Sequence, residues 1–227
     1  MSVLSPPSEP SSSGQLVAIA PAAELLPRPV DKPGRTLQLL VLAPDRDHCA
    51  GVDLASGALV RAWTADPVDA GIGPYDVVRG VLEDSLDLIP DPSQPEALVV
   101  SGTLEKVGRI QGRKVERYLR PLLHPTGQPL LGIHSPTVPF WERTPDHPSV
   151  AVVEPETPPV IHRRGRWVSC SFRWRGLPVE LPCLDWRVSR AMERSGRMRL
   201  GTRKGDRLVV AFTPPLDGQC HKVVAGL

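Results

Sequence analysis

At 227 residues with only four cysteines (Cys49, Cys170, Cys183 and Cys220), the chain can bury a core in one large or two small domains, and it is too cysteine-poor for a disulfide scaffold. No apolar run reaches the ~18 residues of a membrane-spanning helix, and the opening MSVLSPPSEPSSSG lacks the basic flank and apolar core of a secretory signal, so reduced thiols in a cytoplasm are expected. The net charge of +2 hides a segregation: residues 160–227 carry 14 Lys+Arg against 5 Asp+Glu, a net of +9, and residues 1–159 carry 13 against 20, a net of −7.

Residues 1–36, rich in Ser, Pro and Ala, read as a disordered tail that includes the short run LVAIA. Ordered structure is expected from Leu37, where TLQLLVLA is an apolar run of strand length. CAGVDLASGALVRAW then reads as a hairpin turning at Ala55-Ser56-Gly57, with Leu59, Arg61 and Trp63 alternating against Ala58, Val60 and Ala62. PYDVVRGVLED and PEALVVSG supply further strands. Thr103–Leu119 reads as a helix, with Leu104, Val107, Val115, Tyr118 and Leu119 near one face and a basic opposite face (Lys106, Arg109, Arg113, Lys114, Arg117, Arg120). Residues 124–148 read as loop, and SVAVVE as a short strand.

A composition break at Pro155–Pro159 separates a first domain (37–154) from a second, basic one (155–227). In the second, RWVSCSFRWRG and LPVELPCLDWRV form a hairpin. A polar Arg-rich stretch from Arg187 to Arg207 follows, and RLVVAFTP and HKVVAGL close the chain as strands. The 27 prolines, roughly 12 % of the chain against a usual ~5 %, favour short strands and turns over helices. The fold class is therefore mainly β: two small barrels with a helical insertion.

Crowded like charges repel, so a fold gains nothing from this segregation; a polyanionic partner gains a landing surface. The strand Arg166–Arg175 sharpens that reading. Val168, Cys170, Phe172 and Trp174 alternate onto one face, and Trp167, Ser169, Ser171, Arg173 and Arg175 onto the other. An outward ring flanked by hydroxyls and guanidiniums suits a single nucleic-acid strand, with bases stacking on Trp167 and Arg meeting phosphate. His162, Arg163 and Arg164 extend the basic run upstream, and Arg187 opens the downstream one.

Other chemistries find less support. His48-Cys49 and Cys220-His221 could supply four zinc ligands if the two strands met, yet neighbours on a strand point to opposite faces. No phosphate-loop, nucleophile-elbow or zinc-protease pattern occurs. Carboxylates (Asp53, Asp76, Glu83, Asp84, Glu96) are plentiful, but no catalytic residue, metal ligand or cofactor can be named.

The order of features resembles the dual OB-containing domain family of prokaryotic proteins. The resemblance rests on LLVLA, Cys49-Ala50-Gly51-Val52-Asp53 and Leu59-Val60-Arg61 at the start, Asp185 late in the chain, and LVVAF, Pro214-Pro215 and Cys220-His221-Lys222-Val223-Val224-Ala225-Gly226 at the end. It departs at Arg61-Ala62-Trp63, Leu184-Asp185-Trp186 and Ala211-Phe212, where the family tends to Arg-Pro, Thr-Asp-Pro and Ser-Leu. The resemblance implies two OB-type barrels and a nucleic-acid-binding role, in a system that responds to foreign genetic elements. The expected function is non-catalytic binding of single-stranded DNA or RNA through Arg61, Trp63, Arg163, Arg164, Arg166, Trp167, Arg173, Arg175 and Arg187. The alternatives are an adaptor that docks a protein partner on its basic half, and a metal-dependent nuclease.

Overall fold

The first apolar run forms a strand because nothing in it interrupts the pairing: β1 (Thr36–Pro44) lies antiparallel to both β2 (His48–Asp53) and β4 (Asp76–Leu82). β3 (Leu59–Trp63) returns from the expected hairpin and pairs in parallel with β5 (Ala97–Arg109), which pairs in turn with β4. The result is a closed barrel in the order β1-β2-β3-β5-β4. Gly51 is required where β2 crosses β1, since a Cβ there would sit 2.4 Å from the Leu40 carbonyl oxygen. The computed structural model describes residues 34–65, 67–83, 93–203 and 205–227. Most of the expected tail, with LVAIA, and Asp84 lie outside the described residues.

The helix expected over Thr103–Leu119 forms only in its second half; the first half is strand. β5 runs to Arg109, and only α1 (Arg113–Leu119) is helical. The reason is β4, whose Val78 and Arg79 pair with Lys106 and Glu105. Gly102, at φ 72°, lies within β5 where the register with β4 shifts.

The second half repeats the strand order. β8 (Val160–Arg164), β9 (Trp167–Trp174) and β10 (Leu177–Pro182) form an antiparallel meander, with β11 (Arg199–Gly201) on the far edge of β8. β12 (Leu208–Phe212) pairs with β7 (Val150–Val153) and with β13 (Gln219–Gly226), and β6 (Thr137–Pro139) pairs with β13. Beyond the end of β10, Cys183 meets Val224 in a parallel bridge. Taking β7 and β8 together, with β12 on one side and β9 on the other, the pairings run in the order of the first barrel. β6 and β7, which precede the prolines near 155, thus pair with β13 and β12, which follow them.

Three apolar clusters result. Leu39, Val41, Val60 and Leu98 fill the first barrel, and Ile161, Phe172, Val210 and Val224 fill the second. Between them, Leu40, Val52 and Leu59 meet Val150, Val152, Val209 and Val223. β7 and β12 are thus buried on both faces, which is why VAVV and LVVAF read as unbroken apolar runs.

Arg61 stands in this interface with 1 % of its surface exposed. Its guanidinium donates to the Ser149 carbonyl at 3.0 Å, the Phe212 carbonyl at 2.8 Å and Gln94 Oε1 at 3.3 Å. Burial pulls its pKa down to about 10, against the attraction of Glu96. Glu96 accepts from the Ser149 N–H at 2.9 Å and the Ser149 hydroxyl at 2.7 Å. Arg61→Ala should cost about 3–5 kcal/mol in chemical denaturation, because it takes the neighbouring cation from the buried Glu96 carboxylate and the side-chain donor from the Phe212 carbonyl. A loss below about 1 kcal/mol would show that water or a neighbour replaces it.

Candidate nucleic-acid interface

The sheet β10-β9-β8-β11 turns one face to the second core and the other to solvent. Along β9, Cys170, Phe172 and Trp174 are buried and Trp167 and Arg173 are exposed, as the alternation predicts. Residues opposite each other in adjacent strands share a face, so the pairings lay out the surface. Arg164 lies across from Trp167, and His162 from Ser169. Arg199 lies across from His162, and Arg173 from Pro178.

Trp167 is 69 % exposed, and the Arg166 guanidinium carbon sits 5.1 Å from the centre of its ring. One face of the indole is therefore cationic before any ligand arrives. Arg173 donates to the Gly176 carbonyl, and the Ser169 hydroxyl to Glu180 at 2.7 Å. Arg175 and Gly176, at φ 55° and 73°, make the two-residue turn into β10 and leave the Arg175 side chain exposed.

The other expected site residues serve the fold. Arg61 is sealed between the barrels and can meet no ligand. Trp63 is half-buried, its ring 4.9 Å from that of His48. Arg163 points off the face, donating to the Gly165 carbonyl at 3.0 Å and pairing with Glu193 at 3.4 Å. Arg187 is clamped to the Asp185 carboxylate and also donates to the Leu227 carbonyl at 3.2 Å. The face keeps Arg164, Arg166, Trp167, Arg173 and Arg175 from the expected set.

Sequence reading also missed the helix α2 (Trp186–Ser195) within the Arg-rich stretch. Its signals were present: Asp185 accepts the Arg187 N–H as N-cap, Val188 and Met192 are buried four residues apart, and Gly196 ends the helix at φ 64°. The helix carries Arg190 and Arg194 as exposed cations, and the turn after it carries Arg197.

No catalytic constellation forms among the described carboxylates that reading singled out. Asp53 pairs with Arg35 at 3.2 Å, and Asp76 with Lys106 at 2.8 Å and Arg109 at 3.2 Å. Among the described residues, Asp45, Asp47 and His48 at the β1–β2 turn bring three possible ligand atoms within 4.8 Å of one another. The His48 Nδ1 already bonds Asp47 at 2.8 Å, and burial together with nearby Arg61 lowers the imidazole pKa. Cys49 and Cys220 sit in different cores, so the two Cys/His pairs do not converge. Burial pushes the thiols of Cys49 and Cys170 up to about 12 and that of Cys183 to about 11, which leaves them inert at neutral pH.

No known protein-family model matches the chain, and no curated protein matches it. Among the described residues, no helix is long and apolar enough to cross a membrane.

Asp185 also accepts the Leu227 N–H at 3.2 Å, so one carboxylate caps α2 and ties down the last residue. Asp185→Ala should cost about 1–2 kcal/mol by thermal or chemical unfolding, the range of a lost N-cap. Unchanged stability would mean that the cap and the tie contribute nothing.

Proposed function

We propose that the protein binds single-stranded nucleic acid, without catalysis, on the outer face of β8, β9, β10 and β11. The observation that carries this reading is Trp167, an exposed indole opposite Arg164 and beside Arg166, on the strand that occupies the second position of an OB-like barrel. OB barrels bind oligonucleotides across the face of strands 2 and 3. A base can stack on the open side of Trp167 while Arg164, Arg173 and Arg199 meet successive phosphates. The net charge of +9 over residues 160–227 supplies the long-range attraction. Duplex is the poorer fit, since its stacked bases cannot reach a ring presented on a sheet.

The resemblance to the dual OB-containing domain family belongs to the same proposal, as does service in a prokaryotic response to foreign genetic elements. Strand order and the charged face support the first; the second rests on the resemblance alone.

Titration of fluorescent single- and double-stranded DNA and RNA at two salt concentrations tests the reading. Single strands should bind more tightly than duplexes, with affinity falling steeply as salt rises. Trp167→Ala should weaken binding by about 1–3 kcal/mol, roughly 5- to 150-fold. Arg164→Ala with Arg173→Ala should lower affinity and flatten the salt slope by about 0.7 per lost phosphate contact. Wild-type affinity in all these variants would remove the surface; no binding to any of the four ligands at low salt would remove the function and turn attention to a protein partner.

A further inference from the structure

The second barrel does not close as the first one does, and the cause is in its sequence. The hairpin turn pairs Trp174 with Leu177, so the backbone nitrogens of Pro178, Glu180 and Pro182 face away from β9. Two of those three are prolines and have no N–H to donate. Opposite them, Gln219–His221 of β13 pair with β6 instead of β10. The wall stays open between β10 and β6, leaving a cleft of about 310 Å³ walled by Leu130, Ile133, Trp174, Leu177, Val179 and Lys222. That volume is at the lower end of small-molecule sites.

Lys222 is the anomaly in the cleft. It shares the inward face of β13 with the buried Cys220 and Val224, and only 3 % of its surface is exposed. Its ammonium donates to the Ile133 carbonyl and lies 5.9 Å from the centre of the Phe212 ring. Arg143 sits over the same ring at 4.2 Å, adding positive charge. Among the described residues, no carboxylate lies within ion-pairing distance of Lys222. An ammonium has three donors and a buried one needs an anion, so an apolar side chain would suit this core better. The described residues thus give Lys222 no counter-charge.

We infer that the cleft is a binding site for a small organic anion, whose carboxylate or phosphate monoester meets the Lys222 ammonium and whose flat apolar body lies between Trp174 and Val179. His134 and Arg175 also line the cleft and add positive or hydrogen-bonding groups to it. Glu180, which lines it too, is occupied by the Ser169 hydroxyl. The site adjoins the nucleic-acid face through Arg175, but Trp174 and Trp167 project from opposite sides of β9, so either proposal can fail without the other.

The test is a titration of the full ¹⁵N-labelled chain with benzoate and with phenyl phosphate, using benzamide as the neutral match. The expected result is saturable shifts at the amides of Ile133, Val179 and Lys222, with benzamide at least tenfold weaker. Benzoate affinity should fall about tenfold between pH 7 and pH 9, because burial, reinforced by Arg143, brings Lys222 down to about 8 and the ammonium is lost across that window. Lys222→Met, which relieves a buried charge, should fold and lose at least tenfold in benzoate affinity. If it does not fold, the location of the wild-type shifts and their pH dependence decide the matter. Equal binding of benzamide, shifts confined to β8 and β11, or no shift at millimolar ligand would each overturn the inference.

Discussion

The buried guanidinium of Arg61 holds the two halves of this molecule in their relation to each other. It leaves β3 of the first barrel and ends on carbonyls at the start of β7 and the end of β12 in the second. The Ser149 carbonyl also accepts the Phe212 N–H at 2.8 Å, so the guanidinium adds a second donor there and reaches the Phe212 carbonyl at the strand end as well. The apolar seam of Leu40, Val52, Leu59, Val150, Val209 and Val223 supplies the adhesion. Arg61 supplies the register, because a guanidinium in a dry interface tolerates little displacement from its acceptors. Glycine at 226 permits the same close approach, since a Cβ there would lie 2.9 Å from that of Ala43.

From that joint follows the asymmetry between two barrels of one topology. The face of strands 2 and 3 in the first barrel is the face spent on the joint: β2 is buried throughout and β3 nearly so. The equivalent face in the second, across β9 and β10, stays in solvent and collects the exposed arginines and Trp167. The segregation of charge along the sequence thus has a structural counterpart. In the first barrel the exposed sheet residues lie instead on β4 and β5.

Much of this was legible in the sequence because strand periodicity is local. The alternation from Trp167 to Arg175 places every buried and exposed side chain of β9, and the Ala55-Ser56-Gly57 and Gly176 turns locate two hairpins. What was not legible depended on partners far along the chain. Leu104 and Val107 carry no mark that β4 will claim them for a strand. Arg61 alternates with apolar residues just as an exposed binding arginine would, and only the second barrel, about 90 to 150 residues later, buries it. The helix α2 was legible and missed: Asp185, Val188, Met192 and Gly196 are ordinary start, face and stop signals hidden under a run of arginines.

The central claim is that the second barrel offers an open nucleic-acid face while the first has buried its own. Hydrogen exchange of the intact chain, with and without a short single-stranded oligonucleotide, addresses it directly. The account predicts slowed exchange in residues 160–182 and 199–201 on binding, with residues 48–63 unchanged. Protection at 48–63 instead, or protection of neither segment under saturating oligonucleotide, would contradict it.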